Sequence, residues 1–264
     1  MSNKVISILG SGWLGLPLAE YFVSLGHAVK ASTTTKHRLE TLSALHIEPY
    51  LVDIGQLGAN IQSFLQANIL IINITSKNTD DFINLIRVIE ISAIEQVIFI
   101  SSTSVYANLN KTVTEDDIDA LIESPLLSIE NLFRESVKFK TTIVRFAGLI
   151  GYRRNPGNFF KSGRTVDQPD ANVNLIHRDD CIEIINQIIV QGIWGEVFNG
   201  CADSHPTKKE YYTQAAINCG NSVPVFNHTM AKSFKIICNQ KLKRMLNYQF
   251  LHPDLMKITF DSSD

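Results

Sequence analysis

The sequence predicts an α/β protein whose core is a doubly wound parallel sheet, a Rossmann fold, with a small discontinuous C-terminal lobe. Apolar segments of strand length alternate with amphipathic segments of helix length through the first half of the chain, which is the pattern of a parallel sheet with helices on both faces. Residues 69–72 and 97–100 are apolar at every position, as strands covered on both faces are. A glycine-rich turn directly follows the first apolar segment.

The elements follow in order from the N-terminus. The first strand covers residues 5–9. A helix over 14–25 carries Leu14, Leu18, Phe22 and Leu25 on one face, with Gly26 as its stop signal. Further strands are predicted over residues 28–33, 50–52, 69–74, 96–101 and 141–146, and helices over 36–45, 61–66, 80–94 and 126–139.

The composition changes after Gly151, where turn-forming and polar residues accumulate. We therefore predict a dinucleotide-binding core over residues 1–151 and a small substrate lobe over 152–264, of which about 173–200 returns to the core. In this part a helix is predicted over 180–191, capped by Asp180, and a strand over 196–199. A second helix over 207–219 begins with a capping box from Thr207 to Glu210.

The glycine turn has the spacing that a dinucleotide pyrophosphate requires. In the segment from Gly10 to Gly15, the first glycine permits a tight turn, the second lets backbone approach the phosphates, and the third lets helix and strand pack closely. The sequence therefore predicts a cofactor site formed by Gly10, Gly12, Trp13, Leu14 and Gly15. The alternative is a turn with a structural role only.

Composition excludes several other classes. The chain has 264 residues, 45% of them hydrophobic and 19% charged, which is typical of a globular protein that does not enter membranes. A net charge of −2 gives no basic field for nucleic acid. The cysteines and histidines are scattered without ligand spacing, so we expect no metal site and no disulfide framework. The N-terminus has no signal-type stretch, which predicts a cytoplasmic protein.

Five segments in this order resemble the extended short-chain dehydrogenase/reductases, the NAD(P)-dependent sugar-nucleotide epimerases and dehydratases. They are the glycine turn at 10–15, the strand end at 101–106 (SSTSVY), and the segments at 144–151 (VRFAGLIG), 174–180 (NLIHRDD) and 197–199 (VFN). The resemblance implies an NAD(P) cofactor and an oxidoreductase or epimerase reaction on a small substrate, such as a nucleotide sugar. Because the chain is short for this family, it resembles a compact branch with a reduced substrate lobe.

The resemblance also implies roles for residues at the end of the fifth strand. Ser102 matches the serine that hydrogen-bonds the reacting oxygen of the substrate, and the alternative is a serine that only shapes the strand-end turn. Thr103 and Ser104 stand where dehydratases of the family carry an Asp-Glu pair. This substitution disfavours a dehydratase, and it makes Thr103 a candidate substrate contact.

The chain departs from the family at its acid/base pair, a Tyr-x-x-x-Lys motif on the following helix. When Glu135 is set on the acidic residue that ends this stretch, the tyrosine position falls on Leu127 and the lysine position on Asn131. Neither side chain titrates near neutral pH. No such motif occurs anywhere in residues 115–140, so the standard chemistry is not expected.

The residues after the second strand indicate which cofactor is bound, because NAD enzymes usually have a carboxylate there that binds the 2′-hydroxyl of the ribose. Here the chain has no acid and offers three hydroxyls and two cations, on Thr33, Thr34, Thr35, Lys36 and Arg38. These groups favour the 2′-phosphate of NADP over NAD. The alternative is a solvated helix start.

Other positions are assigned from the resemblance or from local chemistry. Asp53 matches the residue that meets the adenine, or it caps a turn. Arg153, Asn158 and Arg164 lie in a loop that faces the cleft in this family, where they are candidates for an anionic group of the substrate, although an exposed polar loop explains them equally well. His177 either lines the pocket or is a buried structural histidine.

The function expected from these residues is that of an NAD(P)-binding epimerase/dehydratase-like protein with an unidentified substitute base. The alternative is a non-catalytic NAD(P)-binding sensor or scaffold that presents a changed surface to a protein partner. The expected ligand is a small molecule, with homo-oligomers possible.

Overall fold

The computed structural model describes residues 4–161 and 164–260. The strands are β1 (Val5–Leu9), β2 (Ala28–Thr33), β3 (Glu48–Leu51), β4 (Ile69–Ile72), β5 (Gln96–Ser102), β6 (Thr112–Val113), β7 (Lys140–Phe146), β8 (Gly148–Ile150), β9 (Thr165–Asp167), β10 (Leu175–His177), β11 (Val197–Gly200), β12 (Val225–Asn227) and β13 (Ile236–Ile237). The helices are α1 (Gly15–Ser24), α2 (Arg38–Ala44), α3 (Asn60–Phe64), α4 (Thr79–Glu90), α5 (Pro125–Glu135), α6 (Arg178–Gln191), α7 (Lys208–Asn218) and α8 (Gln240–Leu246).

Seven strands form the main sheet, in the order β3-β2-β1-β4-β5-β7-β11. The pairs on either side of β1 are parallel, with Val5 opposite Ala28 and Ile6 opposite Ile69. This order reverses at β1, as it does in doubly wound sheets, and the carboxyl ends of β1 and β4 flank that reversal. The predicted Rossmann fold is confirmed.

The chain divides into two compact units. The first contains residues 1–101, 123–144 and 188–197, and its apolar core gathers on the sheet beneath α4 and α5. Phe133 of α5 stacks on Phe99 of β5 with ring centroids 5.1 Å apart. Phe82 meets both rings edge-on, with centroids 6.0 Å from each. This cluster fixes α4 and α5 on β5.

The second unit contains residues 102–122, 145–187 and 198–264. Its strands are short and pair two by two in parallel, β8 with β10, β9 with β12, and β6 with β13. A separate apolar cluster around Tyr211, Leu255 and Ile258 holds α7 and the C-terminal segment together. Connections outside regular elements therefore make up much of this unit.

Several element bounds differ from the predicted ones for identifiable reasons. α5 ends at Glu135, since Ser136 is already extended, whereas the prediction ran to Phe139. The apolar spacing predicted a longer helix because Phe139, which lies in the following loop, also packs on Phe133, with ring centroids 6.3 Å apart. β3 begins at Glu48 because its pairing with β2 starts at Lys30 opposite Glu48, earlier than the apolar pattern shows.

The prediction that Asp180 caps the helix it begins is wrong. α6 starts two residues earlier, at Arg178, and Asp180 is fully buried. Its carboxylate accepts hydrogen bonds from the hydroxyl of Tyr248 at 2.7 Å and from the backbone amides of Leu251 at 2.7 Å and His252 at 3.1 Å. Asp180 therefore anchors the segment that follows α8.

Two further observations concern the cysteines and the lengths of the helices. The four cysteines are free thiols, with Cys181 and Cys201 buried. Across residues 4–161 and 164–260, no helix combines the length and the apolar character needed to cross a membrane.

Candidate functional site

The glycine turn is fastened to two neighbouring strands of the sheet. The amide of Gly10 donates to the hydroxyl of Ser32 at 2.9 Å, and the amide of Ser11 donates to the Ser32 carbonyl at 2.9 Å. On the other side, the side-chain amide of Asn73, just after β4, donates to the Gly10 carbonyl at 3.3 Å. The loop is thus held by β2 and β4 at the carboxyl end of β1.

The three glycines of the turn meet different surroundings. Gly10 has a φ of +100°, a conformation that disfavours any other residue. At Gly15 a side chain would overlap the Gly10 carbonyl, so this glycine permits the close return of the helix onto the strand. At Gly12 an added Cβ would have no heavy atom within 4 Å, which leaves open space above the backbone.

A cavity of about 390 Å³ adjoins the turn within the first unit. It is lined by Gly10, Ser11 and Gly12, by Thr33 at the end of β2 and Thr34, Thr35 and Arg38 after it, and by Asn73, Asp53 and Asp81. All of these segments follow strands of one sheet except Asp81, which lies in the first turn of α4. The cavity therefore occupies the position in which doubly wound sheets bind ligands.

Arg38 is the cation that the structure brings to this cavity. Its Nη2 donates to the Ser11 carbonyl at 2.7 Å, which holds the guanidinium beside the glycine turn. Lys36 is exposed and does not line the cavity. Thr33 is nearly buried, and its hydroxyl accepts the amide of Thr35 at 3.1 Å. Thr34 and Thr35 remain accessible.

The residues present fit a dinucleotide. The hydroxyl of Ser11 is buried without a hydrogen-bond partner, although buried polar atoms are normally paired. It lies in the turn that opens α1, beside the open space above Gly12. The first amides of a helix lack partners within the helix and favour an anion. The oxygens of a pyrophosphate bound there would accept hydrogen bonds from the Ser11 hydroxyl and from the first backbone amides of α1.

The remaining predicted cofactor residues have distinct places. Leu14 is buried and precedes α1, while Trp13 is half-buried. Asp53 lines the cavity, and its Oδ1 accepts the amide of Gly55 at 2.9 Å. Asp53 thus shapes a turn beside the cavity, and its contact with an adenine stays a prediction.

Ser102 ends β5 and opens a short 3-10 turn, Thr103–Val105. Its hydroxyl accepts the amide of Ser104 at 3.1 Å, so it shapes the strand-end turn. The side chain remains half-buried, whereas Thr103 is buried at 6% exposure. The hydroxyl of Ser102 can also donate a hydrogen bond, which a substrate oxygen would accept.

On α5 the buried acid is Glu130. It is fully buried and accepts a short hydrogen bond from the hydroxyl of Ser101, while Glu135 is exposed. Counting back from Glu130 by the spacing used for Glu135 places Ile122 and Leu126 at the tyrosine and lysine positions. Leu127 is half-buried and Asn131 exposed. In either register the pair is absent, since no tyrosine occurs between Tyr106 and Tyr152.

The candidate substrate residues all belong to the second unit, and the structure does not bring them into one pocket. Arg164 lines a cavity of about 230 Å³ with Lys161, and neither Arg153 nor Asn158 is among its described lining residues. Arg153 is exposed, and Asn158 accepts from Asn221 at 3.2 Å. His177 is buried at 6% exposure, and burial lowers its pKa to about 4.

A buried polar network in the second unit centres on Tyr106. Nη1 of Arg145 donates to the Tyr106 hydroxyl at 2.6 Å, and this hydroxyl donates to Asn199 at 3.0 Å. The amide of Asn199 donates in turn to Glu115 at 2.7 Å. Burial raises the pKa of Tyr106. Its phenol therefore stays protonated and serves the packing of the unit.

Sequence reasoning missed four residues that the structure makes prominent. Ser11 lies between two glycines of the turn, and Asn73, directly after β4, and Asp81, in the first turn of α4, belong to no motif. The sequence alignment places Glu135 at the family's acidic position, whereas the buried acid is Glu130. Helical spacing was the available signal for Glu130, because it lies one position from Ile129 and three from Phe133, both fully buried.

Comparisons with known proteins agree with this architecture. No family model matches the chain. Over 267 residues it is 29% identical to Protein YeeZ of Escherichia coli K12, spanning 95% of this chain and 97% of that protein. Its TM-score is 0.80 against a putative NAD-dependent epimerase/dehydratase from Methylobacillus flagellatus, at 21% identity over 96% and 95% of the two chains.

A second solved structure with this fold is a UDP-glucuronic acid 4-epimerase from Bacillus cereus in complex with NAD. The TM-score is 0.78, at 16% identity over 96% of this chain and 93% of the epimerase. The chain therefore has the fold of the extended short-chain dehydrogenase/reductases, as the resemblance of its segments predicted.

Proposed function

We propose that this chain binds a nicotinamide dinucleotide at the glycine turn, NADP in preference to NAD. We further propose that it acts as an oxidoreductase or epimerase on a small, sugar-derived substrate without the usual tyrosine and lysine. The observation that carries the proposal is the open space above Gly12 beside the unpartnered hydroxyl of Ser11. The solved structures of the same fold add support, since one of them contains NAD.

The preference for NADP rests on the segment after β2. Residues 33–39 contain no carboxylate, and Arg38 is held in the cavity by the Ser11 carbonyl. A guanidinium with accessible hydroxyls from Thr34 and Thr35 suits a phosphate monoester. The bound nicotinamide would supply hydride transfer, while the chain binds the phosphates and Ser102 donates a hydrogen bond to the reacting oxygen.

The binding site is tested by adding a side chain at Gly12. Calorimetric titration of NADPH into Gly12→Val should show at least a 100-fold loss of affinity, since the valine fills space that the protein leaves open. Gly58→Val is the matched control, because Gly58 also has no heavy atom within 4 Å of an added Cβ and lies outside the cavity. Unchanged NADPH affinity in Gly12→Val would place the site elsewhere.

The cofactor preference is tested separately by Arg38→Gln. A hydrogen bond to a charged group contributes about 1.5–3 kcal/mol, so the ratio of NADPH to NADH affinity should fall by about 10- to 100-fold. Lys36→Gln removes a neighbouring cation outside the cavity and should preserve the ratio. Equal affinities of the unaltered chain for both cofactors would refute the preference.

A second candidate function is a non-catalytic dinucleotide sensor. The absence of any tyrosine between Tyr106 and Tyr152 favours it, because binding residues are present while the family's proton donor is missing. The two candidates separate in one experiment. A sensor binds NADPH and converts neither alcohols nor nucleotide sugars to product, whereas an enzyme forms product at a rate that falls in Ser102→Ala.

A further inference from the structure

The second unit contains a group of side chains that the dinucleotide site does not use. His177 ends β10, Asp179 lies in the first turn of α6, and His252 comes from the segment after α8. We refer to these three residues as the His-Asp-His cluster. One ligand atom from each lies within 4.8 Å of the other two. His177 and His252 are 75 positions apart in the sequence, so no local motif predicts the cluster.

The separations within the cluster are close to those of a metal site. Oδ2 of Asp179 is 3.5 Å from Nδ1 of His177 and 3.7 Å from Nε2 of His252. In a tetrahedral zinc site with bonds of about 2.0–2.1 Å, neighbouring ligand atoms are about 3.3–3.5 Å apart. Two of the three separations therefore already suit a shared ion, and the ligand nitrogens of the two imidazoles lie within 4.8 Å of each other.

The surrounding residues orient these ligand atoms. Gly151 has a φ of +121°, and a side chain there would lie 2.7 Å from Nε2 of His177, so that nitrogen faces the backbone and Nδ1 faces the cluster. The hydroxyl of Tyr152 donates to the carboxylate of Asp179, 3.0 Å from Oδ1. Partners of this kind fix the orientation of metal ligands in known sites.

Access and charge also suit an exchangeable ion. His177 is buried, whereas the side chains of Asp179 and His252 are about one-third exposed, at 34% and 32%. Three protein ligands leave a fourth position for water or for an oxygen of a substrate. Arg178 stacks on Tyr152, its guanidinium carbon 3.6 Å from the ring centroid, and this positive charge makes the affinity lower than that of a structural zinc site.

We propose that the His-Asp-His cluster binds a divalent transition-metal ion such as Zn²⁺, through Nδ1 of His177, Oδ2 of Asp179 and Nε2 of His252. Imidazole nitrogens with one carboxylate form a borderline donor set, which favours Zn²⁺, Co²⁺ or Ni²⁺ over Mg²⁺ or Ca²⁺. Ligation by His177 replaces the amide of Asp179, which Nδ1 accepts at 3.3 Å. The proposal does not depend on dinucleotide binding.

The test is a calorimetric titration of ZnCl₂ into the 264-residue chain after chelator treatment and dialysis. We expect one ion per chain. His252→Phe should lower the affinity at least tenfold, since phenylalanine keeps a ring against His177, where the two centroids are 3.9 Å apart, but offers no nitrogen. Asp179→Asn keeps an acceptor for Tyr152 and should weaken binding in the same way.

Two controls make the result specific. His228→Ala should leave Zn²⁺ affinity unchanged, because the exposed His228 pairs with Asp170, 3.8 Å away, and belongs to no three-ligand group among the described residues. With Co²⁺ the near-ultraviolet spectrum should lack a thiolate-to-metal charge-transfer band, which excludes ligation by Cys219 or Cys238. No stoichiometric binding, binding unaffected by His252→Phe, or a thiolate band would overturn the proposal. Thermal melts of each variant confirm that it folds.

Discussion

In the first unit, the groups around the ligand cavity follow β1, β2, β3 and β4, four neighbouring strands of one parallel sheet. In the second unit, the His-Asp-His cluster draws on a three-residue strand, a helix start and the segment after α8. In a parallel sheet the carboxyl ends of the strands all lie at one edge. The second unit has no such regular arrangement, and the residues of the His-Asp-His cluster meet because buried anchors such as Asp180 hold irregular segments in place.

The residues expected to bind the cofactor are present, whereas the family's acid/base pair is absent. We therefore expect cofactor binding and catalysis to be separable. Turnover of UDP-glucuronic acid or simple secondary alcohols should be about 10²- to 10⁴-fold slower than that of the Bacillus cereus epimerase assayed in parallel, because positioned acid/base groups contribute about that factor. The absence of the acid/base pair should not weaken the affinity of this chain for NADPH. Turnover is measured by chromatography of the UDP-sugar product for UDP-glucuronic acid and by reduced-cofactor absorbance for the alcohols, and calorimetry measures affinity.

One outcome would break this separation. Fast turnover that survives Ser102→Ala would mean that another catalytic group acts in place of the missing pair. Fast turnover that Ser102→Ala abolishes would instead show that the strand-end serine suffices, and it would remove the case for a non-catalytic sensor.

The sequence predicts the first unit well because its signals are local. The alternation of apolar segments gives the sheet, and Gly10, Gly12 and Gly15 mark the turn before any contact is known. Asp81 and the hydroxyl of Ser11, which has no hydrogen-bond partner, carry no local signal, since their significance depends on what surrounds them in space. The sequence also gives no signal for His252, because its contact with His177 spans 75 positions and follows no period.

The largest stability effect should come from the first unit's core. Phe133→Ala removes a fully buried ring that contacts Phe82, Phe99 and Phe139, and such truncations cost about 3–5 kcal/mol. Urea denaturation measures the change. Phe159→Ala, at a position 36% exposed, is the control and should cost far less. Similar losses in both variants would contradict the proposed core.

A smaller loss is expected where the second unit is anchored. Tyr248→Phe removes one of three donors to the carboxylate of Asp180 and leaves the amides of Leu251 and His252 in place. Loss of such a hydrogen bond costs about 1–3 kcal/mol. Hydrogen exchange should show faster opening of residues 248–252. Unchanged protection in that segment would mean that packing, and not Asp180, holds it.

The smallest expected effect is a change in pH dependence at Glu115. Burial raises the pKa of this carboxyl, despite the hydrogen bond from the amide of Asn199. A raised pKa in the folded state means that the fold binds the proton more tightly than the unfolded chain does. The contribution of Glu115 to stability is therefore greatest below its unfolded pKa and is lost as the pH rises through the folded value.

Glu115→Gln keeps an oxygen acceptor for Asn199 and removes the titration. The stability of the variant relative to the unaltered chain should therefore increase as the pH rises from about 4 toward neutrality, in urea denaturation followed at several pH values. A Glu115→Gln difference that is flat with pH would show that the carboxyl is hydrated in the folded protein, and the network around Tyr106 would then be more open than its hydrogen bonds indicate.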